Sequence, residues 1–158
     1  MVIIDGHNLL HTIQKAYEGF ESLTDIRLCG IIDRFLKLTS EKGLIIFDGT
    51  GPRDKERFES FVNLEVFFAG PGHDADTVIE EKISQNTAPR RLTVVSSDRR
   101  LRRAAALRRA LPVKSQEFWE QVQKELSRKR HKPEPGAKRE GLTEGETQQW
   151  LKFFGFEQ

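Results

Sequence analysis

Five aspartates stand where apolar runs end. Val2-Ile3-Ile4 runs into Asp5, and Leu44-Ile45-Ile46-Phe47 runs into Asp48. Leu92-Thr93-Val94-Val95 passes through Ser96-Ser97 to Asp98, while Asp74 and Asp76 open the segment after Val66-Phe67-Phe68. Carboxylates gathered in one place repel each other unless they share a cation. Hard oxygen donors without a cysteine partner point to Mg²⁺ or Mn²⁺. Asn8 lies three residues after Asp5, where it can orient that carboxylate or a bound phosphate. Asp76 and Glu80 are four apart and share one helix face. Ser97 and Asp98 open a segment with Arg99, Arg100, Arg102 and Arg103, so hydroxyls and backbone N–H groups there can meet a phosphate.

Each of these residues also has a plainer reading. Asp5 and Asn8 could make an Asx turn with a helix cap, and Ser97 and Asp98 are good N-cap types. Asp74 and Asp76 suit a helix N-terminus without any metal. Glu80 could pair with a lysine. Two apolar runs that both end in Asp-Gly carry more weight than either alone.

The elements that must position these side chains follow from the pattern. Short apolar runs alternating with helical periodicity read as parallel strands, whose carboxyl ends open on ligand sites. Strands are expected at 2–5, 44–48, 64–68, 92–96 and 111–113. Helices are expected after Asp5 and over 24–40, 74–85, 99–110 and 116–128, the last capped by Ser115. The fold class is therefore α/β, a central parallel sheet of four or five strands with helices on both faces. Residues 129–141 have the composition of a basic Pro/Gly linker. A capping box at Thr143-Glu144-Gly145-Glu146 begins a C-terminal amphipathic helix within 142–158 that carries Trp150, Leu151, Phe153 and Phe154.

At 158 residues the chain suits one domain with its own core. A net charge of +2 conceals an asymmetry. Residues 1–89 hold nine basic residues against fifteen acidic, whereas 90–114 hold nine basic against Asp98 alone. An acidic site beside a basic surface suits a metal-dependent enzyme acting on a polyanion. Cys29 is the single cysteine, which excludes an internal disulfide or a thiolate zinc site. His7 and His11 are four apart, but no third ligand completes a zinc pattern. No charged leader and no apolar stretch of membrane-spanning length is seen, so a soluble cytoplasmic protein is expected. P-loop and dinucleotide fingerprints are missing. An aspartyl-phosphate phosphatase is disfavoured, because strand one ends Asp-Gly-His.

Four motifs together resemble, in order and spacing, the NYN branch of the PIN-like nucleases, and within it the YacP-like group of bacterial endoribonucleases. They are Ile3-Ile4-Asp5-Gly6-His7-Asn8-Leu9-Leu10, Ile46-Phe47-Asp48-Gly49, Asp74-Ala75-Asp76-Thr77-Val78-Ile79-Glu80 and Val94-Val95-Ser96-Ser97-Asp98. The resemblance covers residues 1–128. It implies a PIN-like Rossmannoid fold and divalent-metal-dependent cleavage of RNA. On the matching positions Asp5, Asp48, Asp76 and Asp98 are the acidic set, with Asn8 and Ser97 in support. The stretch His73-Asp74-Ala75-Asp76 shifts one acid by a residue relative to the family run, which leaves Asp74 and Asp76 as rival ligands. The group's association with mRNA decay and ribosomes makes single-stranded RNA, mRNA and the ribosome the expected partners. Two other readings remain: a silent RNA- or ribosome-binding module on the same fold, and a flap-type DNA nuclease.

Overall fold

The computed structural model describes residues 1–130, with side chains to Arg128. The expected linker at 129–141 falls outside the described residues except for its first two, and the expected helix at 142–158 lies wholly outside them. Five parallel strands form one sheet in the order β3-β2-β1-β4-β5. They are β1 (Val2–Asp5), β2 (Gly43–Phe47), β3 (Leu64–Phe68), β4 (Thr93–Val95) and β5 (Leu111–Val113). The helices are α1 (Gly6–Ala16), α2 (Asp25–Thr39), α3 (Glu56–Glu59), α4 (Ala75–Gln85), α5 (Arg99–Leu107) and α6 (Ser115–Arg130). The short α3 was not expected. It interrupts a polar stretch and buries Phe58 edge-on against Phe68, ring centroids 5.2 Å apart.

β1 lies at the centre and is buried along its whole length, which is why it reads as an unbroken apolar run. The edges read differently. β3 alternates buried and exposed positions, and β5 tolerates Pro112, whose missing N–H costs little where only one neighbour needs pairing.

Alternation along the strands sorts the core into two layers. Val2, Ile4, Ile45, Phe47 and Val95 face α1, α2 and α6. Ile3, Leu44, Ile46 and Val94 face α4 and α5. In the first layer Trp119 meets Phe20 edge-to-face at 5.4 Å, and Phe118 meets Phe35 at 5.5 Å. These contacts hold α6 against the α1–α2 connection and α2. Ser115 is the first residue of α6 rather than a cap before it, and its hydroxyl donates to Asn8 Oδ1. Cys29 is buried in this layer, as expected of a core residue. No helix among the described residues is long and apolar enough to cross a membrane.

Candidate active site

Strand parity decides where the acids point. Asp5 has the parity of Ile3, and Asp48 that of Leu44 and Ile46, so both face the layer of α4 and α5. Ser96 continues the parity of Val94 and meets Asp5 there. The strand order turns back beside β1, between β2 on one side and β4 on the other. Such a switch point leaves a crevice beyond the strand ends. Asp5 sits in that crevice.

Asp5 is only 6% exposed. Its carboxyl pKa is pushed up to about 6, first by burial and then by the charges of Asp76 and Asp48. The Ser96 hydroxyl, which donates to Oδ2 at 3.0 Å, and the Asn8 backbone N–H oppose that rise. Ser96 Oγ in turn accepts the Asp98 N–H at 3.0 Å. One fully buried hydroxyl thus links the first acid to the backbone of the last. Sequence reasoning passed over Ser96 in favour of Ser97. The strand alternation through Val94 was the signal that could have found it.

Asn8 does not orient Asp5 through its side chain. Its Oδ1 accepts from the Ser97 N–H at 2.9 Å and from Ser115 Oγ at 2.6 Å. The side chain therefore ties α1 to the β4–α5 turn and to the start of α6. The first link sets the position of Ser97, which is exposed.

Asp48 lies just past β2 and is exposed. Its Oδ1 accepts the Ala75 N–H at 2.8 Å. Its own N–H donates to His7 Nδ1 at 3.3 Å, and that nitrogen is 3.4 Å from Oδ2. The chain then reverses at Gly49, whose φ of 79° favours glycine. Asp74 is the N-cap of α4, and its Oδ1 takes the Thr77 N–H at 2.6 Å. That bond draws its pKa down. Asp48 and Asp74 thus satisfy two of the open N–H groups that begin α4.

Asp76, one residue into α4, behaves oppositely. Burial, then Asp98 and Asp74, raise its pKa against the pull of Arg100. Asp98 caps α5 by accepting the Arg100 N–H at 2.7 Å. The capping roles anticipated for Asp74 and Asp98 are therefore real, and they aim the two helix N-termini at the same crevice.

Glu80 and Arg100 are committed to each other. Arg100 Nε and a terminal nitrogen donate to the two Glu80 oxygens at 2.6 and 2.8 Å, which joins α4 to α5. Glu80, expected to support the acids, and Arg100, expected to guide a backbone, are joined in this bidentate pair, the preferred geometry of guanidinium on carboxylate. Arg99 and Arg103 are exposed, and Arg102 is half-buried.

Asp5, Asp48, Asp76 and Asp98 form one electrostatic cluster, because each feels or shifts another. It is an open cluster. Among the described residues no three acidic, histidine or cysteine side chains close on a single point. Mg²⁺ does not need a closed cage, since it keeps several waters and takes one or two carboxylates. The donor set is all oxygen, and burial with neighbouring acids raises the pKa values of Asp5 and Asp76, so the residues fit such an ion.

The YacP-like NYN domain model matches residues 2–152. The chain belongs to the YacP-like NYN domain family. The match runs past the 1–128 span that carries the motifs. No curated protein matches the sequence. Solved structures share the fold. The crystal structure of Rae1 (YacP) from Bacillus subtilis has a TM-score of 0.66 and 20% identity over 82% of this chain and 77% of that one. Its W164L mutant has a TM-score of 0.59 and 20% identity over 80% and 77%. In this NYN domain the order β3-β2-β1-β4-β5 and the crevice at β1 accordingly belong to a nuclease-like fold.

Proposed function

We propose that this NYN domain is an endoribonuclease that hydrolyses phosphodiesters of single-stranded RNA, mRNA among them, with Mg²⁺ or Mn²⁺. One observation carries the reading. Four carboxylates from four separate elements share one crevice, where burial and then the charges of the neighbouring acids raise the pKa values of Asp5 and Asp76. Folding gains nothing from that repulsion, so a cationic ligand is its natural compensation.

Asp5, Asp48, Asp76 and Asp98 would hold the ion, which when bound supplies an activated water and offsets charge on the scissile phosphate. Asp5 is fixed by Ser96, and Asp98 by its cap bond, so both donors are set before substrate arrives. Asp74 contributes by capping α4, which leaves Asp76 as the acid of this pair that faces the cluster. Arg99 and Arg103 on α5 offer the backbone phosphates of a strand an exposed positive edge beside the acids, a contact that positions without reading sequence.

The test is to incubate the purified protein with labelled single-stranded RNA and matched DNA in Mg²⁺, Mn²⁺ or EDTA. Cleavage of RNA that stops in EDTA supports the reading. Binding without cleavage in either metal would make the domain a docking module, and equal or better cleavage of DNA would make it a DNA nuclease.

A further inference from the structure

A ladder of rings runs from the sheet interior to the surface beside Asp48. Phe68 stacks on Phe47 at 5.7 Å and 24°. Phe47, fully buried, meets the His7 ring in a T-shaped contact at 5.1 Å. His7 lies nearly parallel to His11, one helical turn on, at 6.0 Å and 17°. Phe47 is locked in the core, Phe68 packs partly buried against it, and the outer two rings reach solvent. The His7 side chain is 36% exposed and His11 is exposed. The Asp48 N–H bond to Nδ1 fixes the His7 ring. Among the described residues His11 makes no hydrogen bond or ion pair, and its contact is the ring of His7. Among the described residues no third histidine, cysteine or carboxylate closes with the pair on one point. Neither the acid chemistry nor the fold needs an aromatic ring at position 11.

Resting on the reading that the crevice cuts RNA, we propose that His7 and His11 form a stacking shelf for an unpaired nucleobase, and that this shelf selects single strands. Unpaired bases stack on histidine and other aromatic faces, whereas duplex bases already have both faces covered. The shelf adjoins Asp48, so a base seated there holds its own phosphate close to the acids. The rigid rings behind His7 keep the shelf in place before binding, so little ordering is needed on association.

The experiment measures binding alone. The full chain is titrated in EDTA against fluorescent oligoadenylate, its duplex with oligouridylate, and an abasic ribose-phosphate oligomer. Wild type should bind the single strand most tightly. His11→Ala should weaken that binding about 5- to 100-fold, the range that one lost base stack implies. It should leave duplex and abasic binding unchanged, and His11→Phe should restore the affinity. Matched melting temperatures confirm the fold. Unchanged binding in His11→Ala, an equal loss on the abasic oligomer, no rescue by Phe, or no binding of the single strand would each overturn the shelf. Cleavage is not read, so a protein that stacks bases but never cuts keeps this inference and loses the nuclease reading.

Discussion

Asp5 carries the least favourable charge in the crevice, and its folded pKa of about 6 against an ordinary 3.8 has consequences in both directions. Between those values the native state binds the proton more tightly than the unfolded chain. Stability of the metal-free protein should therefore fall as pH rises from about 4 to 6 and stay level above, by about 1–3 kcal/mol from this group. Asp5→Asn should remove that slope and raise the melting temperature in EDTA at neutral pH, because the amide can still accept from Ser96. A pH-independent melting temperature in the wild type would contradict the assignment. The same substitution, and Asp98→Asn, should slow cleavage about a hundredfold, equivalent to ~2.7 kcal/mol of barrier. Asp74 and Asp76 can be told apart in the same assay. Asp76→Asn should impair cleavage. Asp74→Ser keeps a cap for Thr77 and should leave the rate within a few-fold, and a large loss there would restore Asp74 as a ligand.

At the scale of elements, α5 divides its arginines by task. Arg100 pins α4 through Glu80, while Arg99 and Arg103 remain free to meet phosphates. Replacing Arg99 and Arg103 by Gln should lower the log–log salt slope of single-strand binding by about 0.7 for each lost contact. Arg100→Gln should leave the slope nearly unchanged and lower thermal stability. If Arg100 alone changed the slope, the pairing with Glu80 would not persist in solution. The junction of β1 with α1 makes a second prediction. A Cβ at Gly6 would lie 2.5 Å from the Phe47 ring and 2.9 Å from the Ile46 carbonyl oxygen. Gly6→Ala must push β2 or α1 away and should cost about 1–3 kcal/mol. It should also reduce cleavage, because the same shift displaces Asp5 from Asp48. Denaturant unfolding and a cleavage rate on the one variant check both.

The whole molecule is electrically divided. The chain to residue 89 is acidic, and the stretch 90–114 supplies the basic surface beside the crevice. A ligand that binds only the folded state stabilises it by mass action, about 2.7 kcal/mol at a hundred times its Kd. Mg²⁺ or Mn²⁺ should accordingly raise the melting temperature over that in EDTA, and more at pH 8 than at pH 5, where Asp5 is protonated. K⁺ at matched ionic strength should not reproduce the effect. Equal melting curves in all three would show that the carboxylates hold no divalent ion.

The alternation of apolar runs and helical periodicity by itself determined the α/β class, a sheet of four or five strands and the position of each acid at a strand or helix end. Those features are local, written in periods of two and 3.6 residues. The four motifs and their spacing also placed the chain in its family. Only the tertiary structure decided which acids act on one another. The order β3-β2-β1-β4-β5 brings β4 beside β1, and that pairing lets Ser96 reach Asp5 across 91 residues of sequence. The same long-range packing gave Asn8 to Ser97 and Ser115, and Arg100 to Glu80. A side chain's period says which face it takes. Its partner depends on what the rest of the chain packs against that face, and a single sequence does not state this.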